Sequence, residues 1–181
     1  ICFATKQVTR PQKWIREQVL ADTEKSGIGG TGLFFVEDGF YQTFLVTADP
    51  VSEKIILGLG FDESDAYYKK KNAHYEFGPY VDIPDRVANG TIAGAELPFD
   101  QFEEEKMYEY LPYVVHDNHM VRPYEAIITL RTADKIGKDS VVLLKKAGQE
   151  TVKEYADILT HTDEEALARL KEAGVAETAL K

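Results

Sequence analysis

Leu33-Phe34-Phe35-Val36-Glu37 and Phe40-Tyr41-Gln42-Thr43-Phe44-Leu45-Val46-Thr47 are two aromatic and β-branched runs separated by Asp38-Gly39. Asp-Gly is the preferred chemistry of a two-residue hairpin loop, because the turn needs positive φ at its central residues. The sequence therefore predicts an antiparallel hairpin over residues 33–47. After Asp49-Pro50, the run Lys54–Phe61 puts Ile55, Leu57, Leu59 and Phe61 on one face and Gly58 and Gly60 on the other. That alternation predicts a third strand of a meander, with a glycine face that something approaches closely or that bulges.

The flanking segments complete an α+β pattern. Thr9-Arg10-Pro11 opens a first helix carrying Trp14, Ile15 and Val19, which ends near Ser26-Gly27. Residues 62–72 begin with acids and end with lysines, which suits a helix macrodipole and predicts a short helix. From Ala73 to Pro98 the pattern weakens into Gly, Pro and Asp punctuation. Asp100 and Glu103 then signal a capped helix with contacts at Phe102, Tyr110 and Leu111, stopped by Pro112.

Tyr124–Thr132 and Ser140–Lys146 read as a later antiparallel pair joined by a polar loop containing Gly137. Val152, Tyr155, Ala156 and Leu159 form the stripe of one closing helix. Leu167 and Leu170 begin another after Thr162-Asp163-Glu164-Glu165, a capping box, and Gly174 ends it. The expected fold is α+β with a mainly antiparallel sheet, an N-terminal three-stranded meander plus a later hairpin. An N-terminal helix, short middle helices and two C-terminal helices pack it. With neither repeat nor linker, residues 1–181 read as a single domain, with 1–10 as a basic arm.

Composition bounds the function. A chain of 181 residues with 44% hydrophobic and 29% charged residues is an ordinary globular protein, long enough to bury a self-sufficient core. Its net charge of −10 repels phosphate backbones, which argues against a nucleic-acid partner. Residues 1–16 carry Lys6, Arg10, Lys13 and Arg16 and no acid, a basic stretch suited to pairing with the acidic body or docking on an acidic partner. A chain that begins at Ile1 is also compatible with a processed amino terminus. Cys2 is the only cysteine, so neither an intrachain disulfide nor a thiolate metal cage can form. That leans toward a cytoplasm or organelle interior rather than a secreted protein. The expectation is of a soluble chain that does not span a membrane.

Four patterns carry chemistry. Gly27-Ile28-Gly29-Gly30-Thr31-Gly32 matches the dinucleotide glycine pattern, but that motif follows a strand and opens a helix, whereas here a strand follows. A helix-to-strand connector is the better reading. His116-Asp117-Asn118-His119 sets two imidazoles beside a carboxylate, which suits an acid–base pair. It also suits a Zn or Fe site completed by His74 or Glu76, although the stretch has the composition of a surface turn.

Tyr67, Tyr68, Tyr75, Tyr80, Tyr108, Tyr110, Tyr113 and Tyr124 crowd into one third of the chain, a density that lines a pocket or an interface or packs a core rim. Asn89-Gly90-Thr91 is a glycosylation sequon that reads more simply as a turn. No cofactor is specified by any motif. The sequence favours a non-catalytic binding or assembly domain: a subunit of a larger complex, a homo-oligomer, or a small-ligand-binding domain that uses the tyrosines. The alternative is a small metal-dependent or acid–base enzyme at His116, Asp117 and His119.

Overall fold

The computed structural model describes residues 29–179 together with Ala21 and Lys25. Ala21 and Lys25, the two described residues of the expected first helix, are helical, and its other residues and the basic residues Lys6, Arg10, Lys13 and Arg16 lie outside the described residues. The chain falls into two compact units, one formed by residues 40–121 and 162–179, the other by 29–39 and 122–161. The boundaries fall inside regular elements rather than in linkers, so composition carries no mark of them.

The first unit is built on a six-stranded sheet of order β3-β2-β4-β1-β5-β6. Its strands are β1 (Gly30–Leu45), β2 (Ile55–Gly58), β3 (His74–Phe77), β4 (Gly94–Pro98), β5 (Tyr113–Thr129) and β6 (Ala176–Glu177). Within residues 29–179 the α-helices are α1 (Asp62–Lys69), α2 (Ile83–Ala88), α3 (Phe99–Glu104), α4 (Leu130–Ile136) and α5 (Lys138–Glu172). β1 and β5 run from one unit into the other.

The sheet is mixed, which corrects the mainly antiparallel expectation. β1 pairs antiparallel with β4, but β2 runs parallel to both β3 and β4, and β6 runs parallel to β5. There is no hairpin at Asp38-Gly39, because β1 continues straight through it. Gly39 has φ +87°, so the left-handed residue is present without a chain reversal. Residues 41–45 find their partners at 94–98, and this distant pairing overrides the local turn chemistry.

The strand expected over 54–61 is shorter and is no meander strand. Ile55-Ile56-Leu57 is an unbroken apolar run, the pattern of a parallel strand covered on both faces. The helix expected over 62–72 is present as α1, with Asp62, Glu63 and Asp65 in its first turn and Lys69 in its last.

Four further expectations are corrected. The Asp100–Glu103 capping box does not form. Pro98 is the N-cap of α3, and Glu103 instead takes the Arg169 guanidinium at 2.6 and 2.8 Å. Ser140–Lys146 is helix rather than strand, and the two closing helices are one 35-residue α5. The β-branched Val141 and Val142 favour a strand only weakly, a bias that context readily overrides. Thr162 lies within α5, so its box caps nothing.

Strand alternation separates two cores in the first unit. One face of the sheet presents Phe44, Leu57, Ala95, Leu97 and Val114 to Phe99, Phe102, Leu111, Ala166 and Leu170. There the Phe44 and Phe102 rings stack with centroids 3.6 Å apart. The opposite face gathers Leu45, Ile56, Tyr68, Ala73 and Val115. In the second unit, Gly148 of α5 leaves room for the ring of Phe34, which a Cβ there would overlap. Beside it, Phe34, Val36, Thr151, Val152 and Tyr155 line an apolar pocket of about 190 Å³. No helix among the described residues is long and apolar enough to cross a membrane.

Candidate functional site

The second face of the sheet carries a buried polar cluster at its centre. Thr43 of β1 and Glu96 of β4 are directly opposite in the antiparallel register, so their side chains share a face. Asp117 and His119, two apart on β5, join them there. Tyr67 and Tyr68 reach down from α1, and Tyr75 comes from β3.

His119 is the hub. Its Nε2 is 2.9 Å from Glu96 Oε2 and its Nδ1 is 3.1 Å from Asp117 Oδ1, with the His119 and Glu96 side chains 0% exposed. The Tyr67 ring stacks on the imidazole at 4.7 Å, and Tyr68 meets it edge-on at 5.3 Å. Asp117 accepts from the Thr43 amide at 3.2 Å, the Thr43 hydroxyl at 2.7 Å and the Tyr67 hydroxyl at 2.8 Å. Tyr68 shares a 2.8 Å bond with Thr43 Oγ1. Glu96 also accepts from the Tyr75 hydroxyl, which reaches it across β2 above Gly58. A Cβ on Gly58 would overlap both partners, so the glycine is what lets β3 bond to β4 over an intervening strand.

Burial alone would lower the His119 pKa, but the hydrogen bonds to Asp117 and Glu96 and their charges outweigh it and push the group up to about 9. Burial and the nearby charges of Glu96 and Asp117 push the Tyr68 hydroxyl well above the ordinary phenol range. Burial and Glu96 do the same to Tyr75. The phenols stay neutral, and Tyr67 and Tyr75 serve as donors to the carboxylates.

The structure divides the sequence candidates. It brings together Asp117, His119, Tyr67, Tyr68 and Tyr75. His116 lies three residues from His119 and so on the opposite face, exposed and edge-on to Phe99 at 5.5 Å. His74 is exposed on β3, and Glu76 is exposed and held by both Arg86 guanidinium nitrogens at 2.9 and 3.0 Å, which keeps its carboxyl below the usual range. His116, His119, His74 and Glu76 therefore do not converge. Among the described residues no group of three or more His, Cys, Asp or Glu is arranged to hold a metal ion.

Tyr80 and Tyr108 pack against the first core and Tyr113 against the second, while Tyr110 is exposed and Tyr124 lies under the Arg122 guanidinium at 5.8 Å. Glu96 and Thr43 escape a reading of the sequence, because what gives them a role is strand register rather than local spacing. On the opposite face, Asn118 adopts φ +44°, and its amide donates to the buried Gln42 Oε1 at 3.0 Å while Gln42 Nε2 donates to its side chain.

A family model described as bacterial extracellular solute-binding protein, family 7 (DctP), matches residues 66–181. No curated protein matches the sequence. Among the solved structures that share the fold are three described as TRAP periplasmic solute-binding proteins. One from Ochrobactrum anthropi superposes with TM-score 0.78 at 19% identity, over 99% of this chain and 58% of that one, and has its own C-terminus bound in the ligand-binding pocket. One from Pseudomonas putida F1, with bound D-glucuronate, gives 0.76 at 18% identity over 91% and 55%. One from Xanthobacter autotrophicus Py2, with bound β-D-galacturonate, gives 0.74 at 20% identity over 91% and 56%. The chain thus spans little more than half the length of the solved structures it matches.

Proposed function

Because this chain belongs to the bacterial extracellular solute-binding proteins of family 7 (DctP), we propose that it captures a small polar solute outside the cytoplasm and delivers it to a membrane transporter. The observation that carries this reading is the family match over residues 66–181, which contains the end of α1 with Tyr67 and Tyr68, and all of β4 and of β5 up to Thr129 with Glu96, Asp117 and His119. Small-ligand binding fits the family, whereas the complex-subunit and metal-dependent-enzyme alternatives do not.

The family also overturns the expectation of a cytoplasmic or organelle interior, since it is extracellular and its solved neighbours are periplasmic. A lone Cys2 does not argue against an oxidising compartment, because it has no partner in the chain to pair with.

For the solute, hexuronates are the natural starting class, being what two of the structural neighbours hold. In this reading the half-buried Tyr67, Tyr75 and Tyr113 supply ring faces to the solute, while the Tyr67 and Tyr75 hydroxyls stay with Asp117 and Glu96. The buried cluster serves as the rigid floor that fixes Tyr67 and β5.

A thermal-shift screen of the chain with hexuronates, aldonates, dicarboxylates, neutral sugars and amines tests the proposal. A solute at about 1,000 times its Kd stabilises by about 4 kcal/mol, a shift of several degrees. Stabilisation by none of these classes at 10 mM, roughly a thousandfold excess over a 10 μM Kd, would overturn it.

A further inference from the structure

The contacts of His119 specify its charge. Each ring nitrogen faces an oxygen of a different carboxylate, Nε2 toward Glu96 and Nδ1 toward Asp117. An ionised carboxylate only accepts hydrogen bonds, while a neutral imidazole carries a single N–H. Both contacts can be hydrogen bonds only if both nitrogens are protonated. In a neutral ring, one lone pair would face a carboxylate lone pair inside a site closed to water.

The same ring is the platform on which α1 sits, through Tyr67 stacked on it and Tyr68 against its edge. We propose that His119 is held as an imidazolium and acts as a pH-released pin, fastening β4 and α1 to β5 while protonated and loosening α1 when the proton leaves. The release is a simple ionisation: the proton passes to solvent hydroxide, and the pair of carboxylates is left facing a neutral ring.

The titratable groups around the ring are Glu96 from β4, Asp117 from β5, Tyr67 and Tyr68 from α1, and Tyr75 of β3 acting through Glu96, while β1 contributes the non-titrating Thr43. Tyr68 and Tyr75 are pushed upward, away from the imidazole's own range near 9. The carboxylates also accept from Thr43, Tyr67 and Tyr75.

NMR of the full chain with ring-labelled histidine and amide labelling tests this. The His119 ring is expected to titrate with a midpoint near 9. Through the same midpoint, hydrogen exchange of the α1 amides should rise about tenfold beyond the intrinsic base-catalysed increase. Glu96→Gln removes one charge and should lower the midpoint by a unit or more, and His119→Gln should abolish the pH-dependent loss of protection.

A midpoint within a unit of the ordinary value of about 6.5 overturns the proposal. So does α1 protection that stays constant through the titration, or that is lost at the same pH in His119→Gln. If neither variant folds, the titration and exchange of the unmodified chain decide the matter alone.

Discussion

The hydroxyl of Tyr75 donates to Glu96 across a whole strand, with Gly58 of β2 lying beneath the bond. Tyr75 OH also accepts from the Gly60 amide at 3.1 Å, so one phenol ties the end of β2 to a carboxylate on β4. The bond exists only because position 58 has no side chain.

Gly58→Ala is accordingly expected to destabilise by about 1–3 kcal/mol, the cost of forcing extra volume into a packed site. Tyr75→Phe keeps the ring and removes the donor, leaving a buried carboxylate oxygen short of a partner at a cost of about 1–3 kcal/mol. Because both changes break the same bond, their sum should exceed the double mutant. Urea unfolding of the two single variants and the pair measures this, and full additivity would show that Gly58 has some other role.

Phe44 and Phe102 form the centre of the opposite core, both fully buried and stacked. Phe44→Ala or Phe102→Ala should cost about 3–5 kcal/mol. Phe44→Leu, which retains most of the volume, should cost less than half of that. The midpoints of denaturant curves test the ranking.

The charge on His119 makes stability depend on pH with a definite sign. Its folded pKa, about 9, lies above the unfolded value of about 6.5, so the folded state holds the proton more tightly. This contribution is fully present below about pH 6.5 and is lost as pH rises through 9. Its magnitude is about 3 kcal/mol, from a difference of two to three pKa units at 1.36 kcal/mol each. Melting temperature should fall steadily between pH 7 and 9.5, and in His119→Gln that slope should flatten.

In the second unit, Gly148 lies in α5 against the ring of Phe34. Helix propensity alone would make Gly148→Ala stabilising by about 0.5–1 kcal/mol. The overlap of the new methyl with Phe34 costs about 1–3 kcal/mol and wins, so net destabilisation is expected. Combined with Phe34→Ala the alanine should regain its helix benefit, and circular dichroism melts of the four proteins in the cycle show whether it does.

Much of the local structure is legible in the sequence and much of the topology is not. α1 declares itself by acids at one end and lysine at the other, because the helix dipole acts on neighbours within a turn. The parallel character of β2 is also written in Ile55-Ile56-Leu57, although the Ile55, Leu57, Leu59 alternation competes with it. Asp38-Gly39 misleads because a turn signal only permits reversal, and the pairing energy of residues 41–45 with 94–98 decides against it.

At the site, Asp117 and His119 stand out as chemistry-bearing residues. Their separation from His116 follows from the parity of positions along a strand, which shows only once β5 is known to be one. Glu96 lies between Ala95 and Leu97 in a segment of weak pattern, and only its register opposite Thr43 gives it meaning.

The discontinuity of the first unit governs when it can form during synthesis. Its core takes Phe44, Leu57, Phe102 and Leu111 from the middle of the chain but Ala166, Leu170 and Val175 from residues 162–179, and β6 pairs with the start of β5 only at Ala176–Glu177. A nascent chain leaving the ribosome can align β2, β3 and β4 early, since these lie within 45 residues of one another. It cannot cover Phe44 and Phe102 until the end of α5 has emerged, roughly 60 residues after Leu111. Synthesis halted anywhere before residue 162 therefore leaves that aromatic face wet, a state open to proteases and aggregation, and commitment to the native unit waits for translation of α5 to finish.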